Sequence, residues 1–389
     1  MTNPTRIFAS SVITSPGLSV NAVTRRLTRH RELLRIRASA RTEESDMSFS
    51  LSADDIGMLR ELDACLDMGD DVVTDMADDM DPTSPQMRAA LFHHHRHSAL
   101  ERQLGHLRPT DRPLIEAAIS KGEALGIVTQ HRMHERIAAL HAEAPWMAPA
   151  AAAVMEVMTR ATARGPAPFR TPPMILLGGP GIGKSRWARS LAKAFDVPMI
   201  DIDIGSANGA TFALAGVERG YGNAAPGRVV RSILGSHVVN PLVIIDELDK
   251  VPETALTTRG SLPGMGEVIK SMIEPSTARA WTCPYYQLPF DLRRVSWIMT
   301  TNSLDRVPAP LIDRCQVIRL PDPTPADLEV AASRMIGERT KDPDLRQVLE
   351  ALVGETLRQR RKTGRRTSLR QLERMVARLE AAGTAPQLM

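Results

Sequence analysis

The stretch Met174-Ile-Leu-Leu-Gly-Gly-Pro-Gly-Ile-Gly-Lys-Ser185 constrains this chain more than any other feature. A short apolar strand runs directly into a loop with the spacing G-x-x-x-x-G-K-S, and a helical run, Ser185–Phe195, follows it. The residue types match what a polyphosphate requires. Gly178, Gly179, Pro180, Gly181, Ile182 and Gly183 form the loop, and the glycines let backbone N–H groups close on phosphate oxygens with no Cβ in the way. The helix that opens after Gly183 aims its positive end at the same point. Lys184 reaches the β- and γ-phosphates, and Ser185 offers a hydroxyl to Mg²⁺. The expected ligands are therefore ATP and Mg²⁺.

Two further apolar runs end in polar residues. Pro241-Leu-Val-Ile-Ile-Asp246-Glu247 shows no alternation, the pattern of a strand covered on both faces in a parallel sheet. Adjacent side chains at a strand end diverge, so Asp246 is expected to serve the metal shell and Glu247 to act as general base on water. The alternative is that both acids only cap the loop. Val295-Ser-Trp-Ile-Met-Thr-Thr-Asn302 is a similar run, and carboxyl ends of parallel strands face the ligand crevice, which would put Asn302 near the γ-phosphate. Farther on, Arg314 precedes a short apolar strand. Its guanidinium suits charge developing on a γ-phosphate, including one in a neighbouring subunit; the alternative is an Asp313–Arg314 pair that orders a turn.

With these residues in place, the segment from about Pro173 to Leu320 resembles the AAA+ ATPase module of the Lon protease family. The likeness is carried by Gly179-Pro-Gly-Ile-Gly-Lys-Ser185, Asp246-Glu-Leu-Asp-Lys250, Leu288-Pro-Phe-Asp-Leu292, Thr301-Asn-Ser-Leu-Asp305 and Val307-Pro-Ala-Pro-Leu-Ile-Asp-Arg314, in that order. The resemblance implies a sensor-1 role for Asn302 and an arginine finger acting in trans for Arg314. Tyr221, between Gly220 and Gly222, is similar to the pore-loop aromatic that grips a threaded polypeptide, although Gly222 stands where the family carries an aliphatic residue. Thr367-Ser-Leu-Arg370-Gln-Leu-Glu-Arg374 resembles the lid motif and makes Arg370 the sensor-2 candidate. The chain ends soon after Arg370, at Met389, so a peptidase domain with a serine–lysine dyad is not expected.

The expected fold is α/β: a P-loop AAA+ domain with a doubly wound parallel sheet, a helical C-terminal lid and a helical N-terminal module. The boundaries read as a disordered tail over 1–51, the N-terminal module over 52–145, the nucleotide-binding domain over 146–320 and the lid over 321–389. Within the module, helices are expected over Ser52–Met68, Met87–Leu104 and Leu114–Leu140, with an acidic linker from Asp70 to Asp81. Helices are also expected over Trp146–Ala163 and, in the lid, Ala326–Gly337, Asp344–Arg361 and Leu369–Ala381.

Composition removes several classes. Three scattered cysteines, Cys65, Cys283 and Cys315, with no C-x-x-C pair, argue against a disulfide framework or a structural zinc site and for a reducing cytoplasm. A mitochondrial location is the minor alternative, because the first 31 residues carry arginines and no acid. No apolar run is long enough to span a membrane. His93, His94, His95 and His97 point in different directions on a helix and read as surface residues. A net charge of +4 is mild for 389 residues. The cluster Arg358, Arg360, Arg361, Lys362, Arg365 and Arg366 has no interleaved aromatics for base stacking, which makes a lid surface the better reading. The resulting expectation is a ring-forming ATPase, a hexamer, that remodels an unknown polypeptide client without proteolysis. The alternatives are a nucleic-acid-associated motor and an ATP-binding assembly scaffold.

Overall fold

The computed structural model describes residues 7–8, 20–40, 84–119, 122–204, 210–250, 255–257, 260–262, 264–363 and 367–384. Contacts divide the chain into two units, Phe8–Ser120 and Met1–Ile7 with Lys121–Met389.

The smaller unit holds α1 (Val20–Ala40), α2 (Pro85–Leu104) and α3 (Arg112–Ile119). Val23 and Leu27, one helical turn apart on α1, pack on Ala89 and Phe92 of α2. The start of α2 is fixed locally: Ser84 Oγ accepts from Met87 N at 3.2 Å and Pro85 takes the first turn. Arg112 braces the α2–α3 corner by donating to Glu101 and, at 2.7 Å, to Glu116. Of the α2 histidines, His94 and His97 are exposed and His93 and His95 half-buried. Among the described residues no group of three His, Cys, Asp or Glu side chains is placed to hold a metal.

The larger unit opens with α4 (Gln130–Glu143), a 3₁₀ turn (Pro145–Met147) and α5 (Ala148–Thr162). Its strands are β1 (Met174–Leu177), β2 (Met199–Asp203), β3 (Leu242–Asp246), the hairpin β4 (Ala255–Thr257) with β5 (Gly260–Leu262), the hairpin β6 (Trp281–Thr282) with β7 (Pro289–Phe290), β8 (Ser296–Thr301) and β9 (Gln316–Arg319). The helices among and after them are α6 (Lys184–Ala194), α7 (Ala210–Ala215), α8 (Arg228–Ser236), α9 (Met265–Ile273), α10 (Pro275–Ala278), α11 (Ala309–Ile312), α12 (Pro325–Arg339), α13 (Pro343–Lys362) and α14 (Leu369–Thr384).

Five strands form one parallel sheet in the order β2-β3-β8-β1-β9, flanked by helices. The register aligns their carboxyl ends: Leu177 pairs with Thr301 and Arg319, and Asp203 with Asp246. β8 is buried at every position, which explains its unbroken run of apolar and small polar residues. The lid helices join the same core through Leu328, Met335, Leu349, Val353 and Leu372. Thr324 and Asp327 form a reciprocal capping box that starts α12 directly after the proline-rich turn.

The structure moves two boundaries. α1 lies inside the segment expected to be a tail, because Val23 and Leu27 bury against α2. The unit boundary falls near Ser120, not at 145, because Met133, Ile137 and Leu140 of α4 are buried in the larger core with Trp146, Phe169 and Phe195. The single helix expected over Leu114–Leu140 is broken for a local reason. Gly126 has φ 66°, and a Cβ there would sit 2.7 Å from Phe169 Cβ and 2.8 Å from Phe195 O. The chain around it runs extended, with Glu123 N donating to His237 O at 2.9 Å. The expected helix over Ser52–Met68, the acidic stretch Asp70–Asp81, and Arg365 and Arg366 lie outside the described residues. The remaining lid and α5 expectations agree with the observed helices to within a few residues.

A buried side chain ties this extended segment to the sheet. Asn240, 2% exposed, accepts from Leu125 N at 2.8 Å and donates to Leu125 O and Phe169 O, each at 2.9 Å. Asn240→Ala strands Leu125 N and Phe169 O, each worth about 1–3 kcal/mol when left unpaired, and leaves Leu125 O with the bond from Phe169 N, so we expect a loss of about 3 kcal/mol in chemical denaturation. A variant as stable as the parent would mean that water replaces the amide.

Candidate functional site

The phosphate loop is shaped by what its glycines exclude. Gly181 and Gly183 have φ of 74° and 94°, conformations that strain other residues. A Cβ on Gly178 would meet Ile182 Cδ1 at 2.7 Å, and one on Gly183 would meet Leu369 Cδ1 at 2.7 Å. Lys184 folds back over the loop: Nζ donates to Gly178 O at 2.8 Å, Gly179 O at 2.9 Å and Asn302 Oδ1 at 2.9 Å. Burial pushes its pKa below the ordinary lysine range, against the pull of Asp249, Asp246 and Asp322. A phosphate here meets a cation that has already shed much of its water.

The two carboxylates at the end of β3 do diverge. Asp246 Oδ1 accepts from Ser185 Oγ and, at 2.9 Å, from Thr300 Oγ1; Asp246 Oδ2 lies 3.4 Å from Arg189 Nη2. Glu247 turns away at φ 62°, and its carboxylate meets Lys250 Nζ at 2.7 Å. Arg189 is held charged chiefly by its 3.0 Å bond to Asp201, against some desolvation. Lys184, Ser185, Asp246, Glu247, Asn302 and Arg370 line one cleft of about 520 Å³. Its donor set fits a triphosphate with a hard divalent cation: a cradle that excludes Cβ atoms, a buried ammonium, and a hydroxyl beside a carboxylate.

Arg370 enters the cleft because the lid docks on the loop. Leu369 N donates to Gly181 O at 2.9 Å, and Arg186 Nη1 pairs with Glu373 at 2.8 Å. Arg314 and Tyr221 do not line the cleft. Arg314 donates through Nε to Glu274 and through Nη1 to Pro310 O at 2.8 Å; Asp313 is not its partner. Tyr221, 48% exposed, sits on a loop closed at its base by a Gly216–Pro226 bridge and by Val217 N donating to Ala225 O at 2.8 Å.

Sequence reasoning missed several contributors. Thr300 and Arg189 steady Asp246, Lys250 engages Glu247, and Trp146 Nε1 donates to Ile182 O at 2.8 Å, bracing the loop from the 3₁₀ turn. Only Thr300, a polar residue inside a fully buried strand, left a signal in the sequence. Cys283 and Cys315 are poor nucleophiles: burial raises both thiols, Cys315 to about 12.

Residues 174–322 match the family described as the ATPase family associated with various cellular activities, AAA. This region is an AAA ATPase domain. The chain is similar over about half its length to three curated proteins. It is 31% identical over 218 residues to the peroxisomal Lon protease homolog 2 of Zea mays, covering 55% of this chain and 24% of that protein. It is 30% identical to the Lon protease of Nitrosococcus oceani, covering 48% and 24%. It is 31% identical to the mitochondrial Lon protease homolog of Yarrowia lipolytica, covering 45% and 14%. The matched region thus spans a quarter or less of each relative's length. The AAA domain here is Lon-like, and none of the described helices is long and apolar enough to cross a membrane.

Proposed function

We propose that this chain is an ATP- and Mg²⁺-dependent remodeller of proteins that works as a homo-oligomeric ring, a hexamer, in the cytoplasm. In this reading residues Gly178 to Lys184 hold the triphosphate. Ser185 and Asp246 would hold Mg²⁺, which would supply charge neutralisation. Glu247 takes the proton of the attacking water once its carboxylate leaves Lys250, and Asn302 orients that water. Arg370 answers the charge from the lid. Arg314, outside its own cleft, supplies the guanidinium to the next subunit.

The observation that carries the remodelling part is Tyr221. Its ring is half exposed on a loop that is closed at the base and open at the tip, where a Cβ on Gly220 or Gly222 would meet nothing. An aromatic side chain on such a loop suits transient contact with a polypeptide. The basic lid cluster supports the nucleic-acid alternative less well: Arg360 is engaged by Thr367 and Gln371, and Arg358 by Glu355.

The test is Tyr221→Ala. Basal ATP hydrolysis should stay within about twofold, while stimulation by an unfolded polypeptide is lost. Salt-sensitive stimulation by DNA or RNA that ignores Tyr221 and falls when Arg358 and Arg360 are neutralised would replace remodelling with a nucleic-acid motor.

A further inference from the structure

We infer that Glu274 is the positioning residue for Arg314, holding the guanidinium ready for a neighbouring subunit; this rests on the trans role proposed for Arg314. Among the described residues, the Glu274 side chain has Arg314 as its partner. Its backbone closes α9, N donating to Lys270 O at 3.0 Å, and starts α10, but its carboxylate makes no capping bond. That carboxylate accepts from Arg314 Nε, while Pro310 O takes Arg314 Nη1. With Nε and Nη1 each bonded within the chain, Nη2 has no partner among the described residues. A planar fork fixed on one side presents the other in a set direction.

The two elements that carry this pair are packed tightly. A Cβ on Gly266 would sit 3.0 Å from Pro308 Cγ, so the start of α9 lies close against the residue that precedes α11 because residue 266 is glycine. Glu274 and Arg314 thus sit at the ends of packed helices, each about one-third exposed at the side chain. Such a pair adds little stability and much direction.

The experiment measures steady-state ATP hydrolysis by full-length Glu274→Ala and Glu274→Gln proteins, with ATP affinity and melting temperature alongside. Glu274→Ala should lower kcat about tenfold with KM for ATP unchanged, and Glu274→Gln, which keeps an acceptor for Nε, should fall between. The double variant Arg314→Ala with Glu274→Ala should be no slower than Arg314→Ala alone. Mixing Glu274→Ala subunits with Lys184→Ala subunits should restore activity, because the latter carry an intact Glu274–Arg314 pair. Additive losses in the double variant, a raised KM, or no recovery on mixing would overturn the inference. If Arg314→Ala itself hydrolyses ATP at the parent rate, the trans role falls. If Arg314→Ala is slow and Glu274→Ala is not, only the inference about Glu274 falls.

Discussion

Lys184→Ala is expected to lose tight ATP binding, and Glu247→Gln to keep it while losing turnover. Lys184 is a buried ammonium that bonds the loop's own carbonyls at 2.8 and 2.9 Å; with ATP present, the phosphates compete for those protons. A charge-assisted contact of this kind is worth about 3 kcal/mol, so Kd for ATP should weaken roughly 100-fold. Glu247 instead pairs with Lys250, while Ser185 bonds Asp246, so its amide should leave binding intact. Loss of the general base should cost about 10²–10⁴-fold in kcat. The exposed Glu247–Lys250 pair contributes little to folding, so the loss cannot be assigned to instability. Isothermal titration together with single-turnover hydrolysis separates the two variants. Equal loss of affinity in both would remove Glu247 from the role of base.

The phosphate loop, Asp246 and Asn302 could be placed on one side of the sheet from sequence because each stands at or just after the end of a buried strand, and an apolar run closing on a polar residue is readable without an alignment. What the sequence could not carry is the order of those strands. Asn302 lies 118 residues from Lys184, and only the arrangement β3-β8-β1 brings them to 2.9 Å. Asp246 and Glu247 take different partners, as expected, but the cause is not strand alternation: β3 ends at Asp246, and the Lys250 pairing depends on a left-handed Glu247 that no periodicity announces. The unit boundary was misread because α4 has the same amphipathic pattern whether its apolar stripe faces a small helical module or the main core. The break at Gly126 was missed for a related reason: one glycine in a helical pattern is weak evidence until the phenylalanines that crowd it are known. α1 went unread because its stripe, Val23 and Leu27, is short and set among arginines.

Arg314→Ala should bind ATP normally and hydrolyse it about 10³-fold more slowly, the scale on which an arginine finger acts. Two readings of this geometry predict different outcomes. Arg314 lines no part of the cleft that holds Lys184, and both of its bonds are to its own neighbourhood, Glu274 and Pro310. If Arg314 served only to order that turn, the variant would lose a partly exposed ion pair, a matter of about 1 kcal/mol at most, and hydrolysis would barely change. If it serves the neighbouring subunit, Arg314→Ala has an intact cleft but deprives the next one, while Lys184→Ala has a dead cleft but still donates its arginine. Neither protein hydrolyses ATP alone, yet a mixed ring places intact clefts beside intact arginines. Activity across mixing ratios should therefore rise above both pure samples and peak between them. A profile that never exceeds the sum of the separate variants would confine Arg314 to its own subunit, and a ring assembled by other contacts would then need another residue to complete the site.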